Sequence, residues 1–121
     1  MNAEEIIQKW IETGNETAVL DLYGLKIEEL PELPLNLQKL SICGCSIKKL
    51  PKLPPNLQEL YCLGCKLLKE LSELPESLQI LNCAYCPITE LQNLPSGLVI
   101  VYCHNCPIEI LLPILPIVRL Y

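Results

Sequence analysis

The sequence predicts an α/β solenoid in which short parallel strands, one per repeat, follow a single N-terminal helix. The chain has 121 residues, and most of them belong to copies of one stretch, LQKLSICGCSIKKLPKLP, at residues 37–54. Successive copies are 20 or 21 residues apart, measured between the aligned residues Leu20, Leu40, Leu60, Leu81 and Val101. Self-similarity at such a period is typical of repeat proteins in which each unit packs on its neighbours.

One consensus describes all the copies. Each fits L-x-x-L-x-L-x-x-(N/C)-x-L, with cysteine often replacing leucine or isoleucine, and the asparagine position is occupied by Leu25, Cys45, Cys65, Cys86 and Cys106. Over residues 17–116 this pattern resembles the leucine-rich repeat. The return leg LPELPLNL at 30–37 more specifically resembles the short-repeat class of bacterial effectors, including effector ubiquitin ligases. Similar cysteine-bearing short repeats occur in large DNA viruses.

The resemblance implies a scaffold and no ligase activity. Effector ubiquitin ligases carry their catalytic cysteine in a separate domain after the repeats, and this sequence runs only to Tyr121. Fold alone does not define function, so the target of the repeats is left open. We expect one domain, with a helical cap over residues 1–16, five repeats over 17–116 and a C-terminal tail over 117–121.

The N-terminal segment is predicted to be a helix over residues 2–13. Asn2 can cap this helix, Glu5 follows three residues later as in a capping box, and Gly14 ends it. One helical face is apolar and is expected to cover the first coil; it consists of Ile6, Ile7, Trp10 and Ile11. A helix that binds a partner or a membrane surface is the alternative, but the short and acidic sequence favours a cap.

Each repeat is expected to contribute one short strand to a curved parallel sheet. Because side chains alternate between the two faces of a strand, the inward positions are predicted to be Leu20/Leu22, Leu40/Ile42, Leu60/Cys62, Leu81/Cys83 and Val101/Cys103. Prolines such as Pro31 and Pro34 follow each strand, where they remove backbone donors and disfavour helix. The return legs are therefore predicted to be extended and polyproline-like.

Three CxxC pairs would indicate a zinc site if they stood outside a repeat. They are formed by Cys62, Cys65, Cys83, Cys86, Cys103 and Cys106. The repeat period explains all six, since the first of each pair aligns with Ile42 and the second with Cys45. We therefore predict two buried ladders of thiols that donate to carbonyls at the turns, and no metal or cofactor. A metal or redox site is the alternative.

Cys43 lies in an outward column and is predicted to be an exposed, modifiable thiol.

Charge and hydropathy exclude several classes of function. The net charge is −5 and no basic stripe is evident, so nucleic acid is not expected as a partner. The apolar stretch 108–118 is interrupted by Glu109, Pro113 and Pro116, and it is shorter than the ~20 residues of a spanning helix. No signal peptide is recognisable. We expect a soluble intracellular protein with reduced thiols and no membrane partner.

No catalytic constellation is recognisable in the sequence. His104 is the one histidine, and its neighbour Cys103 faces the other side of the strand, so a cysteine–histidine dyad is not expected. The glycines Gly24, Gly44 and Gly64 recur once per repeat, where the strand turns, and do not form a phosphate loop. The chain is therefore predicted not to be an enzyme.

The outward side chains of the strands are predicted to line a concave face that binds a protein partner. Large apolar and amphipathic groups concentrate in its C-terminal half, and tyrosine is enriched among residues that dominate binding energy. Aromatic side chains that only cover strand neighbours are the alternative. The candidate partner-binding residues are Lys39, Glu59, Tyr61, Leu63, Ile80, Asn82, Tyr85, Ile100, Tyr102 and His104.

The C-terminal segment 108–121 is unusually apolar for the end of a solenoid, because its only charged residues are Glu109 and Arg119. We expect a second copy of the chain to cover this end, giving a homodimer; a tail that folds back as its own cap is the alternative. The candidate self-association residues are Ile110, Leu112, Ile114, Leu115, Ile117, Val118, Leu120 and Tyr121. The sequence thus predicts a non-catalytic protein-interaction module, with structural self-assembly as the second possibility.

Overall fold

The fold is organised around a parallel sheet of six short strands, the main sheet. The computed structural model describes residues 1–71, 73–112 and 119–121. Its elements are α1 (Ala3–Thr13), β1 (Leu20–Asp21), β2 (Lys39–Ser41), β3 (Glu59–Tyr61), β4 (Ile80–Asn82), β5 (Glu90–Gln92), β6 (Ile100–Tyr102), β7 (Ile110–Leu112) and β8 (Arg119–Leu120). The main sheet has the order β1-β2-β3-β4-β6-β8, and β5 pairs with β7 in a second sheet.

The strands of the main sheet pair in parallel, with a register of one repeat. Leu40 pairs with Leu60, Leu60 with Leu81, and Leu81 with Val101. This register confirms the parallel-strand solenoid that the period predicts. At the C-terminal end Val101 pairs with Leu120, so the segment predicted to be a tail contributes a sixth strand. The division into five repeats stays a prediction.

The core is a narrow strip of inward side chains behind the main sheet. The predicted inward positions from Leu20 to Val101 are each at most 1% exposed, as the alternation of strand side chains requires. Cys103 is the exception, because it is only half-buried. It lies beside the outer strand β8, where its N–H donates to the carbonyl of Tyr121 at 2.7 Å.

The helix α1 packs on the first strand, consistent with a cap. Asn2 lies at its N-cap and its Oδ1 accepts the Glu5 N–H at 2.9 Å, which confirms the predicted cap. Trp10 is buried, and its indole N–H donates to the carbonyl of Ala18 at 2.9 Å. The predicted covering face is wrong at Ile11, which is 48% exposed. Ala3 takes its place among the buried residues of the helix, because the buried stripe runs through positions 3, 7 and 10.

The return legs carry a repeated proline turn that places a leucine back in the core. The N–H of Leu37 donates to the carbonyl of Pro34 at 3.2 Å, closing a turn of four residues. The same bond recurs between Leu57 and Pro54, Leu78 and Pro75, and Leu98 and Pro95. These four leucines are fully buried. The turn explains why the sequence pattern ends in proline and resumes with leucine three residues later.

The second sheet pairs two segments of the return legs, which are predicted to be extended and polyproline-like. Leu91 pairs in parallel with Leu111 in the strands β5 and β7. Elsewhere the return legs of the described residues have no regular strand or helix. Pairing of extended segments from neighbouring coils satisfies backbone groups that proline-rich legs leave open.

Part of the predicted self-association segment lies outside the described residues. This applies to Ile114, Leu115, Ile117 and Val118, and for Ile110 and Leu112 only the membership in β7 is described. Leu120 is half-buried and Tyr121 is exposed.

Within the described part of the chain, no helix has the length and hydropathy that crossing a membrane requires.

Candidate functional site

The candidate site is the face of the main sheet that points away from the core, the exposed sheet face. The sequence predicts this face to be concave. Its side chains alternate with the core positions in each strand and continue into the turn that follows. From β2 onward its largest members are Lys39, Glu59, Tyr61, Leu63, Ile80, Asn82, Tyr85, Ile100, Tyr102, His104, Arg119 and Tyr121.

The N-terminal half of this face is occupied by a polar network. Lys39 Nζ lies 3.6 Å from Glu59 Oε2, and the hydroxyl of Tyr61 donates to Glu59 Oε1. Burial, followed by the hydrogen bond and charge of Glu59, raises the pKa of Tyr61 to about 12. These three predicted partner-binding residues therefore already satisfy one another within the chain.

The C-terminal half carries aromatic rings instead. Tyr102 stacks on Tyr121, with ring centroids 5.1 Å apart and an interplanar angle of 23°. Tyr85 meets His104 edge to face, with centroids 5.3 Å apart. The ammonium of Lys66 lies 5.7 Å from the centre of the Tyr85 ring, within the range of a cation–π contact. Aromatic and cationic groups thus form one rim of the exposed sheet face.

Tyr85 has a backbone conformation that tyrosine rarely adopts. Its φ is +61°, in the left-handed region. The aligned residues of the first three repeats are Gly24, Gly44 and Gly64, whose φ values lie between +70° and +73°, and the next repeat has Asn105 at +57°. Glycine and asparagine tolerate this region, whereas a bulky side chain there costs on the order of 1 kcal/mol. The turn therefore holds Tyr85 against its local preference.

The ten predicted partner-binding residues all lie on the exposed sheet face, but they differ in exposure. Leu63, Tyr85 and His104 are exposed, and the other seven are half-buried between strand neighbours. Asn82 also has a local task, because its Oδ1 accepts the N–H of Ala84 at 3.1 Å. Sequence reasoning missed Lys66, which follows the buried Cys65 outside the alternating strand pattern. Lys66 lies in the coil before Tyr85, beside the turn that carries the ring, and this position in the repeat could have predicted the contact.

The sequence alignment places Ala84 in the same outward column as Cys43, and the exposure predicted for that column is wrong at both residues. Ala84 is fully buried, because its methyl group is much shorter than the neighbouring side chains of Leu63 and His104. Cys43 is half-buried and not exposed; the hydroxyl of Ser41 lies 3.5 Å from its Sγ. Small side chains in this column are covered by larger neighbours in the adjacent strands.

The second cysteines of the repeats form the predicted hydrogen-bonded ladder, but burial is wrong at Cys106, which is half-buried. Cys65 Sγ donates to the carbonyl of Ile42 at 3.1 Å, and Cys86 Sγ donates to that of Cys62 at 3.0 Å. The same contact joins Cys45 to Leu22 at 2.9 Å and Cys106 to Cys83 at 2.9 Å. Each second cysteine therefore bonds to the preceding coil, 23 or 24 residues away, which confirms the interpretation of these thiols as donors at the turns.

The electrostatics of the thiols follow from burial and from their mutual contacts. Burial raises the pKa of Cys45 and of Cys83. A hydrogen bond to Cys86, together with burial, raises the pKa of Cys62 and Cys65, and the same contacts lower the pKa of Cys86. Within the described residues no group of three or more His, Cys, Asp or Glu side chains is arranged to hold a metal ion.

Two open grooves lie away from the exposed sheet face, between return legs. One, of about 560 Å³, is lined by Lys69, Glu70, Leu71, Glu73, Leu74, Thr89, Glu90, Leu91, Asn93 and Leu94. The other, of about 670 Å³, is lined by Leu50, Pro51, Lys52, Leu53, Pro55, Glu73, Leu74, Pro75, Glu76 and Ser77. Both lie between the return legs of neighbouring coils.

The fold and the exposed sheet face define a solenoid built from parallel-strand repeats, a class that uses its repeated surface for recognition. Residues 36–57 match the family model described as Leucine Rich Repeat. The register of that repeat continues through the main sheet, which supports a leucine-rich repeat architecture for the chain. No curated protein matches the chain at a significant level. Leucine-rich repeats generally mediate protein–protein interaction and are typically non-catalytic.

Proposed function

We propose that the exposed sheet face binds a protein partner and that the chain acts as a non-catalytic recognition module. The observation that carries this proposal is the row of large side chains in the C-terminal half of the face. Leu63, Tyr85 and Tyr121 remain 37%, 44% and 54% exposed. Exposed groups of this kind, set beside half-buried Ile80 and Ile100, offer apolar area that a partner can remove from water.

The composition of the face supports a protein as the ligand. Tyrosine combines a large apolar ring with a hydroxyl, and it is enriched among residues that dominate protein–protein binding energy. The rings of Tyr102 and Tyr121 are held by their mutual stacking, so little side-chain entropy is lost when a partner covers them.

Tyr102→Ala tests this role. A partner is identified by affinity purification from the source cells and then purified, and its affinity is measured by calorimetry. We expect the variant to bind at least tenfold more weakly, as for a central aromatic contact. Leu35→Ala is the control, since Leu35 is 76% exposed in a return-leg turn away from the face. Equal affinities of wild type and Tyr102→Ala, with both proteins folded by circular dichroism, would contradict the proposal.

Self-association is a second candidate function, favoured by the position of the last strands. In the described part of the chain β8 is an outer strand of the main sheet and β7 is an outer strand of the second sheet. Outer strands present unpaired N–H and C=O groups that another chain can bind. Native mass spectrometry at high micromolar concentration is expected to show a dimer; a monomer at that concentration would exclude this candidate.

A further inference from the structure

We propose that the partner of the exposed sheet face presents an acidic segment, in which a carboxylate lies next to an aromatic or aliphatic side chain. The receiving surface is the Tyr85 patch, formed by Lys66, Tyr85 and His104, with Arg119 as a further cation on the same half of the face. This inference rests on the proposed function and specifies the chemistry of the partner.

The first argument is the backbone of Tyr85. Three of the other repeats have glycine at this turn position, so the fold does not require a side chain there. A ring is nevertheless present at a φ of +61°, where it destabilises the turn. Residues held in such conformations concentrate at binding sites and active sites. The ring is 44% exposed, which leaves a large part of its surface available to a partner.

The second argument is the charge around the ring. The chain as a whole carries a net charge of −5, yet the outward columns of β4, β6 and β8 contain no Asp or Glu among the described residues. The ion pairs between described residues join Lys39 to Glu59 and Lys48 to Glu28. Within that part of the chain, Lys66 and Arg119 are exposed and have no carboxylate partner.

The third argument is the geometry of the patch. The Lys66 ammonium lies 5.7 Å from the Tyr85 ring centre, and His104 meets the same ring at 5.3 Å. A carboxylate that approaches this rim meets the ammonium of Lys66, while a neighbouring apolar side chain can cover the exposed part of the ring. Complementary charge of this kind mainly supplies specificity and faster association, and the buried ring supplies affinity.

Selection from a random peptide library tests the chemistry directly. The immobilised full chain is used to select 12-residue peptides from a phage-displayed library, in reducing buffer, and enriched peptides are synthesised. We expect enriched peptides to have net negative charge and at least one aromatic or aliphatic residue. A labelled single-stranded oligonucleotide of mixed sequence is titrated in parallel, because its phosphates could exploit the same cations.

Two variants connect the selected peptides to the patch. Tyr85→Gly restores the glycine of the other repeats, and we expect about tenfold weaker peptide binding together with a Tm equal to or up to about 4 °C above that of the wild type. Lys66→Glu is expected to weaken binding by about tenfold as well. Lys26→Glu is the matched control, since Lys26 is exposed at the same position of the first repeat and should change binding by less than about twofold.

The outcomes separate this inference from the proposed function. Enriched peptides that are neutral or basic, or that bind both patch variants as well as the wild type, would overturn the acidic partner while leaving protein recognition intact. A lower Tm for Tyr85→Gly would remove the strain argument and overturn the inference. Oligonucleotide binding that requires Lys66, without selected peptides, would reject an acidic protein segment in favour of nucleic acid. A library that yields no binders would count against both proposals.

Discussion

At the residue scale, the CxxC pairs of this chain pack in the core of the repeat, and within the described residues they are not arranged as a set of metal ligands. A CxxC pair in isolation suggests a metal ligand set. In this chain Cys62 and Cys65 are fully buried, and each donates its S–H to the backbone of a neighbouring coil, to Asn82 and Ile42 respectively. A thiol is small enough for the narrow coil and polar enough to serve a carbonyl, so it combines the properties of a core residue and a weak donor.

Cys65→Ala is expected to lower the free energy of unfolding by about 1–2 kcal/mol, because it removes a buried sulfur and its hydrogen bond. The carbonyl of Ile42 still accepts the Cys45 N–H at 3.2 Å, which limits the loss. Urea denaturation in reducing buffer measures the change. Cys43→Ala serves as the control and should stay within about 0.5 kcal/mol of the wild type, since Cys43 is half-buried. Equal losses for the two variants would argue against the ladder.

Tyr61 is expected to titrate with a pKa of about 12, raised first by burial and then by the hydrogen bond and charge of Glu59. The folded pKa exceeds the unfolded value near 10, so the neutral phenol contributes stability below pH 10 that is lost as the pH rises through 12. Ultraviolet absorbance of phenolate, followed from pH 9 to pH 12.5, measures this. Tyr61→Phe should remove the phenolate absorbance that appears near pH 12; an unchanged upper end of the curve would contradict the assignment.

At the element scale, α1 and the proline turns determine how the repeats begin and continue. The helix has a polar cap at each end, with Asn2 accepting from Glu5 and Gly14 closing the C-terminus at a φ of +66°. Its buried side chains, Ala3, Ile7 and Trp10, fit the 3.6-residue period of an amphipathic helix. The helix thereby shields the first coil, whose outer side no preceding repeat covers.

Trp10→Phe is expected to destabilise the protein by about 1 kcal/mol, because phenylalanine keeps most of the apolar contact but leaves the Ala18 carbonyl without the indole N–H. Thermal unfolding followed by far-ultraviolet circular dichroism measures the change. Ile11→Ala is the control on the same helix and should be nearly neutral, since Ile11 is 48% exposed. A larger loss for Ile11→Ala than for Trp10→Phe would show that the helix packs through a different face.

At the scale of the whole molecule, the solenoid has contacts mainly between neighbouring coils, so its ends are covered less well than its middle. Five cysteines in the middle repeats are buried, whereas Cys43, Cys103 and Cys106 are half-buried. Two of these three lie at the C-terminal end. The rate at which each thiol reacts should therefore show which cysteines are buried in the ladder and how exposed the C-terminal end is.

Labelling with a thiol reagent under native conditions is expected to modify Cys43, Cys103 and Cys106 first, and all eight cysteines only after unfolding in urea. Burial keeps the remaining thiols out of reach of the reagent. Mass spectrometry of the labelled peptides identifies the sites. A chelator added before labelling should alter neither the pattern nor the unfolding midpoint. A midpoint that falls with chelator would restore the metal alternative, because metal binding would then contribute folding energy.

The period of 20 or 21 residues by itself determined the parallel main sheet, the strand register and the inward positions, because every coil must bury its leucines against the next. It also determined the thiol ladders, since the cysteines occupy the buried positions that leucine or isoleucine occupies in the other repeats. Tertiary structure decided what the period does not encode. The strands β5, β7 and β8 pair at 19 or 20 residues, close to the repeat period, but they lie in segments that the pattern predicts to be return legs and tail. The burial of Ala84 depends on its neighbours across strands. The strained turn of Tyr85 and its contact with Lys66 depend on the φ of one residue and on packing between coils, neither of which is set by local sequence preference.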